Sequence, residues 1–250
     1  MSPSPLALRE QLRAQRFSSV WSQQLNAVFA DVAPYYDSAN LFASLGQWQR
    51  ILAGFVATIE LNPGERALDV CAGTNALGIA LLGKEPTLQL QAIDRSEAMQ
   101  AVGRRRAAAA GLSIGSSIGD VHRLPFPDRH FDLVTLQWAS RHLRVNEVFA
   151  EIRRVLKPGG RFFHCDMLRP ASPAVELLYH AYLRACLGFT GLVFGSGAAA
   201  QRCKGYFIEA LKLFYSADEL SLLLRDQGFR SVTARKLLGG SIAFHRAVNP

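Results

Sequence analysis

The sequence predicts an α/β protein: a doubly wound, mostly parallel sheet with an antiparallel hairpin at one edge and a helical cap. Three observations lead there. Between Arg66 and Asp166 short apolar runs alternate with stretches of helical period. Such alternation implies parallel strands covered by helices on both faces. Near the C-terminus two short runs are joined by Gly239-Gly240, which suits a hairpin. With 250 residues, 49% hydrophobic and 19% charged, the chain can build one sizeable core and is too apolar to be disordered.

Each element follows in order. Residues 1–30 read as helical and peripheral, and "VFADVAPYYDSANLFASLGQWQRILAGF" keeps too much helical period for a linker. Ala67–Cys71 is a strand and Asn75–Gly83 a helix. Leu88–Ile93 is a strand ending at Asp94, and Ser96 can cap the helix that runs on to Gly111. Phe131–Trp138 is an apolar strand, counted as the fourth; Glu147–Leu156 is a helix stopped by "KPGG"; Arg161–Asp166 is a further strand. After Pro170 the rhythm breaks. Pro173–Gly188 reads as an apolar helix, followed by a glycine-rich stretch. A capping box, Ser216 to Glu219, opens a helix that ends at Gly228, and Ser231–Leu237 with Ser241–Arg246 forms the edge hairpin. The expected fold is Rossmann-like and seven-stranded, a single domain over 1–250, with an N-terminal cap (1–60) and a helical insertion (171–215) over the sheet.

Bulk properties narrow the function classes. The net charge is +8, but the basic residues are dispersed apart from Arg104, Arg105 and Arg106. No interleaving of aromatic and basic residues marks a nucleic-acid platform, so nucleic acid is not the expected partner. The four cysteines (Cys71, Cys165, Cys186 and Cys203) form no CxxC pair and read as reduced, buried thiols. The opening "MSPSPLALREQLRAQRF" lacks the apolar core of a signal peptide, and the longest uncharged segment, Ala185–Gln201, is too short to span a bilayer. A cytoplasmic protein is expected, with room for peripheral contact at the inner face of the membrane. No His, Cys or carboxylate spacing predicts a metal.

In an open parallel sheet, ligands bind beyond the carboxyl ends of the strands. Four features fall there. The first is strand 1 and its loop, Asp69 to Asn75, including Ala72, Gly73 and Thr74. The second is Asp94, which ends strand 2 and suits the two hydroxyls of a ribose; Arg95 and Met99 follow it. The third is "GDVHRLPFPD", where Asp120 can meet an adenine amino group and Val121 can offer a backbone N–H. The fourth is Gln137, near the end of strand 4. Taken singly, Asp94 equally suits a helix-capping acid and Gly73 a plain tight turn. All four in order favour a cofactor. The loop lacks the later glycines of G-x-G-x-x-G, so it is a poor pyrophosphate cradle, and an adenosine without phosphates such as S-adenosylmethionine fits better. Thr74 and Asn75 could serve its amino-acid end.

Here the residues resemble a known family. The chain is similar to the ubiquinone/menaquinone C-methyltransferases, class I S-adenosylmethionine-dependent enzymes, from about Val28 to His245. The resemblance rests on "VFADVAPYYD", "LDVCAGT", "AIDRSEAM", "LPFPDRHFDLVT", "EIRRVLKPGGRF" and "LLRDQGFRSVTARKLLGGSIAFHR". It implies cofactor contacts at Thr74, Asp94, Asp120-Val121 and Gln137. Near the methyl group the family has an Arg-Asn pair, which here is Arg141-His142; of a tyrosine-arginine-tyrosine motif only Tyr206 survives, with Lys204 and Gly205 in the other places. These departures lie on the substrate side.

The chemistry that the resemblance implies is methylation of a hydroquinone carbon. That needs a base and a positive group for the oxyanion. Arg141 suits the oxyanion, His142 is expected to titrate near neutrality and take the proton, and Tyr36 and Asp166 could complete the network. The structural alternatives stay open: a backbone-paired His142, a salt-bridged Arg141, a strand-end Asp166, a core Tyr36. The apolar segment 174–200 is expected to line a cap for a prenylated quinol through Leu177, Leu178, Tyr182, Leu187, Phe189, Leu192, Val193 and Phe194. A homodimer interface or buried core is the alternative. Two other functions remain: methylation of a different hydrophobic aromatic metabolite, and a non-catalytic protein binding a lipid or partner.

Overall fold

Strand positions alternate between two cores. In a computed structural model, which describes residues 4–194, 198–199 and 203–250, seven strands form one sheet. They are β1 (Arg66–Val70), β2 (Gln89–Asp94), β3 (Gly115–Ile118), β4 (Phe131–Gln137), β5 (Leu156–Met167), β6 (Arg230–Leu237) and β7 (Ile242–Val248). Their order is β3-β2-β1-β4-β5-β7-β6. The first five run parallel; β7 lies antiparallel to both β5 and β6. The order reverses at β1 and β4, which opens a crevice at their carboxyl ends.

Leu68, Val70, Val134 and Leu136 face α7 (Val145–Val155) and α10 (Ala217–Asp226), whose Phe149, Ile152, Leu220 and Leu224 are fully buried. On the other face Ala67 and Leu133 meet α4 (Gln47–Thr58) and α5 (Ala76–Lys84) through Phe55, Leu77 and Leu81. Burying one such side chain is worth about 1.5–3 kcal/mol. The period of two along each strand thus assigns side chains to faces.

The strand absent from the sequence-level list is β3. "GSSI" carries little apolar surface and lies at the sheet edge. β5 also runs farther back than expected. Pairing of Phe131 with Leu156 carries the ladder to the helix end, and Gly159 at φ 78° turns the "KPGG" segment within it.

The first helices are not peripheral. In α1 (Pro5–Ser19) Arg13 and Phe17 are buried, a π-helical turn (Val20–Gln24) buries Trp21, and α2 (Leu25–Val32) buries Leu25 and Val28. They pack on α9 (Lys204–Lys212) through Tyr206 and Ala210. α3 (Tyr36–Ala43) and α8 (Pro173–Val193) complete the cap, and α6 (Glu97–Ala109) flanks β2. The expected capping box is present, with Ser216 and Glu219 each bonding the other's backbone N–H.

Candidate active site

The loop after β1 owes its shape to two left-handed residues, Gly73 at φ 54° and Asn75 at φ 56°. Asparagine is among the few side chains that tolerate that region. Its Oδ1 accepts from Gln100 Nε2 at 3.0 Å, and Gly103 of α6 lies so close that a Cβ there would sit 2.8 Å from Asn75 Cγ. The Asn75 side chain therefore faces α6 and is absent from the cleft lining.

The cleft lies at the crevice. It is lined by Asp69, Ala72, Gly73, Thr74, Asp94, Arg95, Met99 and Gln137, and closed from above by Leu25 and Phe29 of the cap. Eight of the eleven expected cofactor residues thus meet in one place; Asn75, Asp120 and Val121 lie outside the lining. The Asp120 turn is tied to the neighbouring strand end by Gly119 N donating to Asp94 O at 3.1 Å. Asp120 Oδ1 lies 2.6 Å from His122 Nδ1, while Val121 is buried.

The acids differ in state. Asp69 accepts from Thr135 Oγ1 at 2.8 Å through Oδ1, while Oδ2 has no partner among the described residues. Burial, with Asp94 nearby, pushes its pKa up to about 7. Asp94 accepts from Gly73 N at 2.9 Å and Ser96 N at 2.8 Å; burial raises its pKa against those bonds. Arg95, which also lines the cleft, donates to the Trp21 carbonyl at 2.5 Å, clasping the cap.

Sequence reasoning missed a second clasp. Asp37, the acid of "VAPYYD", accepts from Thr74 Oγ1 at 2.9 Å and from Arg106 at 2.6 Å; Arg106 also donates to the Thr74 carbonyl at 3.1 Å. Arg106 had counted only as part of a basic cluster. Its signal was its place on α6 beside the loop.

Two apolar chambers adjoin the cleft, each with about 1100 Å³ of empty space. Tyr36 lines the cleft and both chambers, and Arg141 lines both chambers. Arg141 Nη1 donates to Asp166 Oδ1 at 2.6 Å and to the Trp138 carbonyl at 2.9 Å. Asp166 is fully buried and also accepts from Ser140 N at 2.7 Å, Ser140 Oγ at 2.5 Å and Met167 N at 2.7 Å. Such a carboxylate orients the arginine firmly. His164 is buried between Ser140 Oγ at 2.9 Å and His245 at 3.3 Å.

His142 departs from expectation. Burial, then the charges of Arg141 and Arg13, hold its pKa well below the usual value, so it does not titrate near neutrality. Its Nδ1 lies 2.7 Å from Tyr206 Oη, the surviving tyrosine of the insertion motif. The Lys204 side chain and residues 195–197 and 200 of the apolar segment lie outside the described residues.

The chamber walls also differ from those expected. Leu183, Cys186 and Leu187 of α8 line the inner face together with Met167. Of the expected lining only Leu187 and Tyr182 touch a chamber. Leu177, Leu178, Phe189, Leu192 and Val193 are exposed, from 49% to 81%. Phe194 stacks on Tyr35 with centroids 5.4 Å apart.

Known proteins place this geometry. The chain is 34% identical to the demethylmenaquinone methyltransferase of Symbiobacterium thermophilum, over 89% of this chain and 91% of that protein. It is 31% identical to the ubiquinone/menaquinone biosynthesis C-methyltransferase UbiE of Ectopseudomonas mendocina, over 92% and 90%. Among solved structures, a SAM-dependent methyltransferase from Aquifex aeolicus shares the fold with a TM-score of 0.55 at 19% identity, covering 81% of this chain and 89% of that one. Phosphoethanolamine N-methyltransferase 2 of Haemonchus contortus, in complex with S-adenosyl-L-methionine, does so with a TM-score of 0.61 at 14%, covering 82% and 53%. The model of the ubiE/COQ5 methyltransferase family matches residues 18–249, and with a clasped cofactor cleft opening on two apolar chambers the chain belongs to that family of methyltransferases.

Proposed function

We propose that the protein transfers a methyl group from S-adenosylmethionine to a ring carbon of a hydrophobic, prenylated quinol such as demethylmenaquinol or a ubiquinol precursor, as one catalytic domain. The observation that carries the reading is the junction at Tyr36, where a cofactor cleft with unmet polar groups meets two apolar chambers floored by Arg141. The donor set fits the cofactor. Asp69 Oδ2 suits an ammonium group, and the buried Trp138 Nε1, which has no partner among the described residues, and the Gln137 amide suit acceptor oxygens. Asp94 keeps lone pairs free for ribose hydroxyls, and the Asp120 turn suits adenine. When bound, the cofactor supplies an electrophilic methyl.

The chain's own residues do the rest. Arg141, held by Asp166, stabilises negative charge on a ring oxygen as its proton leaves to water, and the proton displaced from the methylated carbon leaves to water in turn. Tyr36 stands between cleft and chambers and aligns the ring. Leu183, Leu187 and Met167 give the tail an apolar path and exclude water. The outward apolar residues of α8, with a net charge of +8, suit contact with an anionic bilayer from which such a quinol would be drawn. No helix among the described residues is long and apolar enough to cross a membrane.

Purified protein given S-adenosylmethionine and reduced prenylated quinols lacking the ring methyl should yield product heavier by one methyl, read by mass spectrometry. Cofactor binding without turnover of any quinol would shift the acceptor to another hydrophobic aromatic. Absence of cofactor binding in calorimetry would sink the whole reading.

A further inference from the structure

A line of three side chains crosses from the N-terminal cap to the active-site turn. Trp21 Nε1 donates to Tyr206 Oη at 2.8 Å, and Tyr206 Oη lies 2.7 Å from His142 Nδ1. An indole N–H only donates, so one tyrosine lone pair is taken by Trp21. Burial pushes the Tyr206 hydroxyl up, and it keeps its hydrogen. Of its two hydrogen-bonding neighbours among the described residues, Trp21 Nε1 can only donate, and His142 Nδ1 can accept that hydrogen. A neutral imidazole has a single N–H; with Nδ1 accepting, it sits on Nε2.

That nitrogen is buried and has no partner among the described residues, and the side chain, 4% exposed, lines the cleft. Phe29 of α2 and Phe207 of α9 lie roughly perpendicular to the ring with centroids 6.1 and 5.4 Å away, and neither side chain carries an oxygen or nitrogen acceptor for Nε2. The charged groups that bear on it are Arg141 beside it and Arg13 from α1, both positive. Nothing there favours an imidazolium, and a donor with no acceptor in a buried wall is incomplete without one.

We propose that His142 is a tautomer-locked hydrogen-bond donor that presents Nε2–H from the cleft wall to a ring oxygen which the acceptor extends past Tyr36 from the chambers, and is not the base that deprotonates it; Trp21 and Tyr206 are positioning residues that set the tautomer. The tautomer stands on the geometry alone, and the ring oxygen rests on the function proposed above. Arg141 and His142 then address oxygens rather than protons. Because Trp21 belongs to the cap, the donor is set only when the cap is docked. An amide N–H is also a neutral donor, so asparagine can replace this histidine in kind.

The test is nitrogen NMR of the full-length protein labelled at histidine, with and without S-adenosylmethionine, the His142 signal being the one lost in His142→Asn. A neutral ring protonated at Nε2 and unchanged from about pH 5.5 to 8 is expected, collapsing to mixed tautomers in Tyr206→Phe. A ring protonated at Nδ1, or one titrating in that range, overturns the proposal. In turnover, His142→Asn should stay within about tenfold of wild-type kcat/KM and keep the acid limb of the pH profile. A loss of roughly 10²–10⁴-fold together with loss of that limb is the signature of a base and refutes it. Failure of the acceptor reading shows differently: wild type turns over no quinol, while the spectrum stays as described.

Discussion

Asp69 is the residue on which the state of the cleft turns. Burial lifts its pKa from an ordinary 3.8 to about 7, so the fold favours the neutral acid. Its contribution to stability is therefore complete below about pH 4 and lost as pH rises through 7. In urea, Asp69→Asn should match wild type near pH 4 and gain a growing advantage towards pH 8. Cofactor affinity should fall in the variant, because the ionised carboxylate is what an ammonium needs. Parallel curves for the two proteins would show that burial of Asp69 is not felt. The acids and glycine of the cleft were legible because strand ends and the loop after β1 are fixed positions in this topology. Asn75 was half legible. Its fitness for a turn is local, but its packing against Gln100 and Gly103 depends on how α6 lies. The state of His142 was illegible, since it depends on a tyrosine 64 positions later and a tryptophan 185 positions before that tyrosine.

Among elements, α8 shows most clearly what periodicity leaves undecided. A helix that is apolar around most of its circumference, with Glu176, His180 and Arg184 as the exceptions, announces no single inner face. Leu183, Cys186 and Leu187 turn inward, while Leu177, Leu178 and Leu192 are 69% to 81% exposed. Replacing Leu178 and Leu192 by serine should weaken flotation with anionic vesicles several-fold and leave cofactor affinity unchanged. If vesicle binding persists while sedimentation shows a dimer turned into a monomer, the face joins two copies and does not meet lipid. β3 escaped notice for the opposite reason: "GSSI" is recognisable only by its backbone pairing with β2. The hairpin of β6 and β7 was plain, because two glycines and flanking short runs admit few alternatives.

Across the whole molecule, the cap is held to the catalytic half by charge-assisted bonds rather than by one hydrophobic seam. Arg95 grips the Trp21 carbonyl, Asp37 grips Thr74 and Arg106, and the fully buried Arg13 donates to the carbonyls of Arg141 and Leu143 at 3.1 Å. Arg95→Ala should expose residues 20–30 to limited proteolysis and weaken cofactor affinity by about tenfold. Equal protection of both proteins would show that this grip does not hold the cap.

The same wiring governs how the chain assembles. Glu10 bonds Tyr215, and Trp21 bonds Tyr206, across 205 and 185 residues. The wall that closes the cleft is thus synthesised first, yet it waits for partners made near the end. Until then Trp21, Phe17 and Leu25 lack the packing that Tyr206 and Ala210 supply. The nascent sheet can form from β1 to β5 beneath an undocked cap, at the entropic cost that long closures carry. Loss of Tyr206 would leave Trp21 Nε1 without its acceptor, while Arg13, Asp37 and the Trp21 carbonyl would keep partners made earlier in the chain.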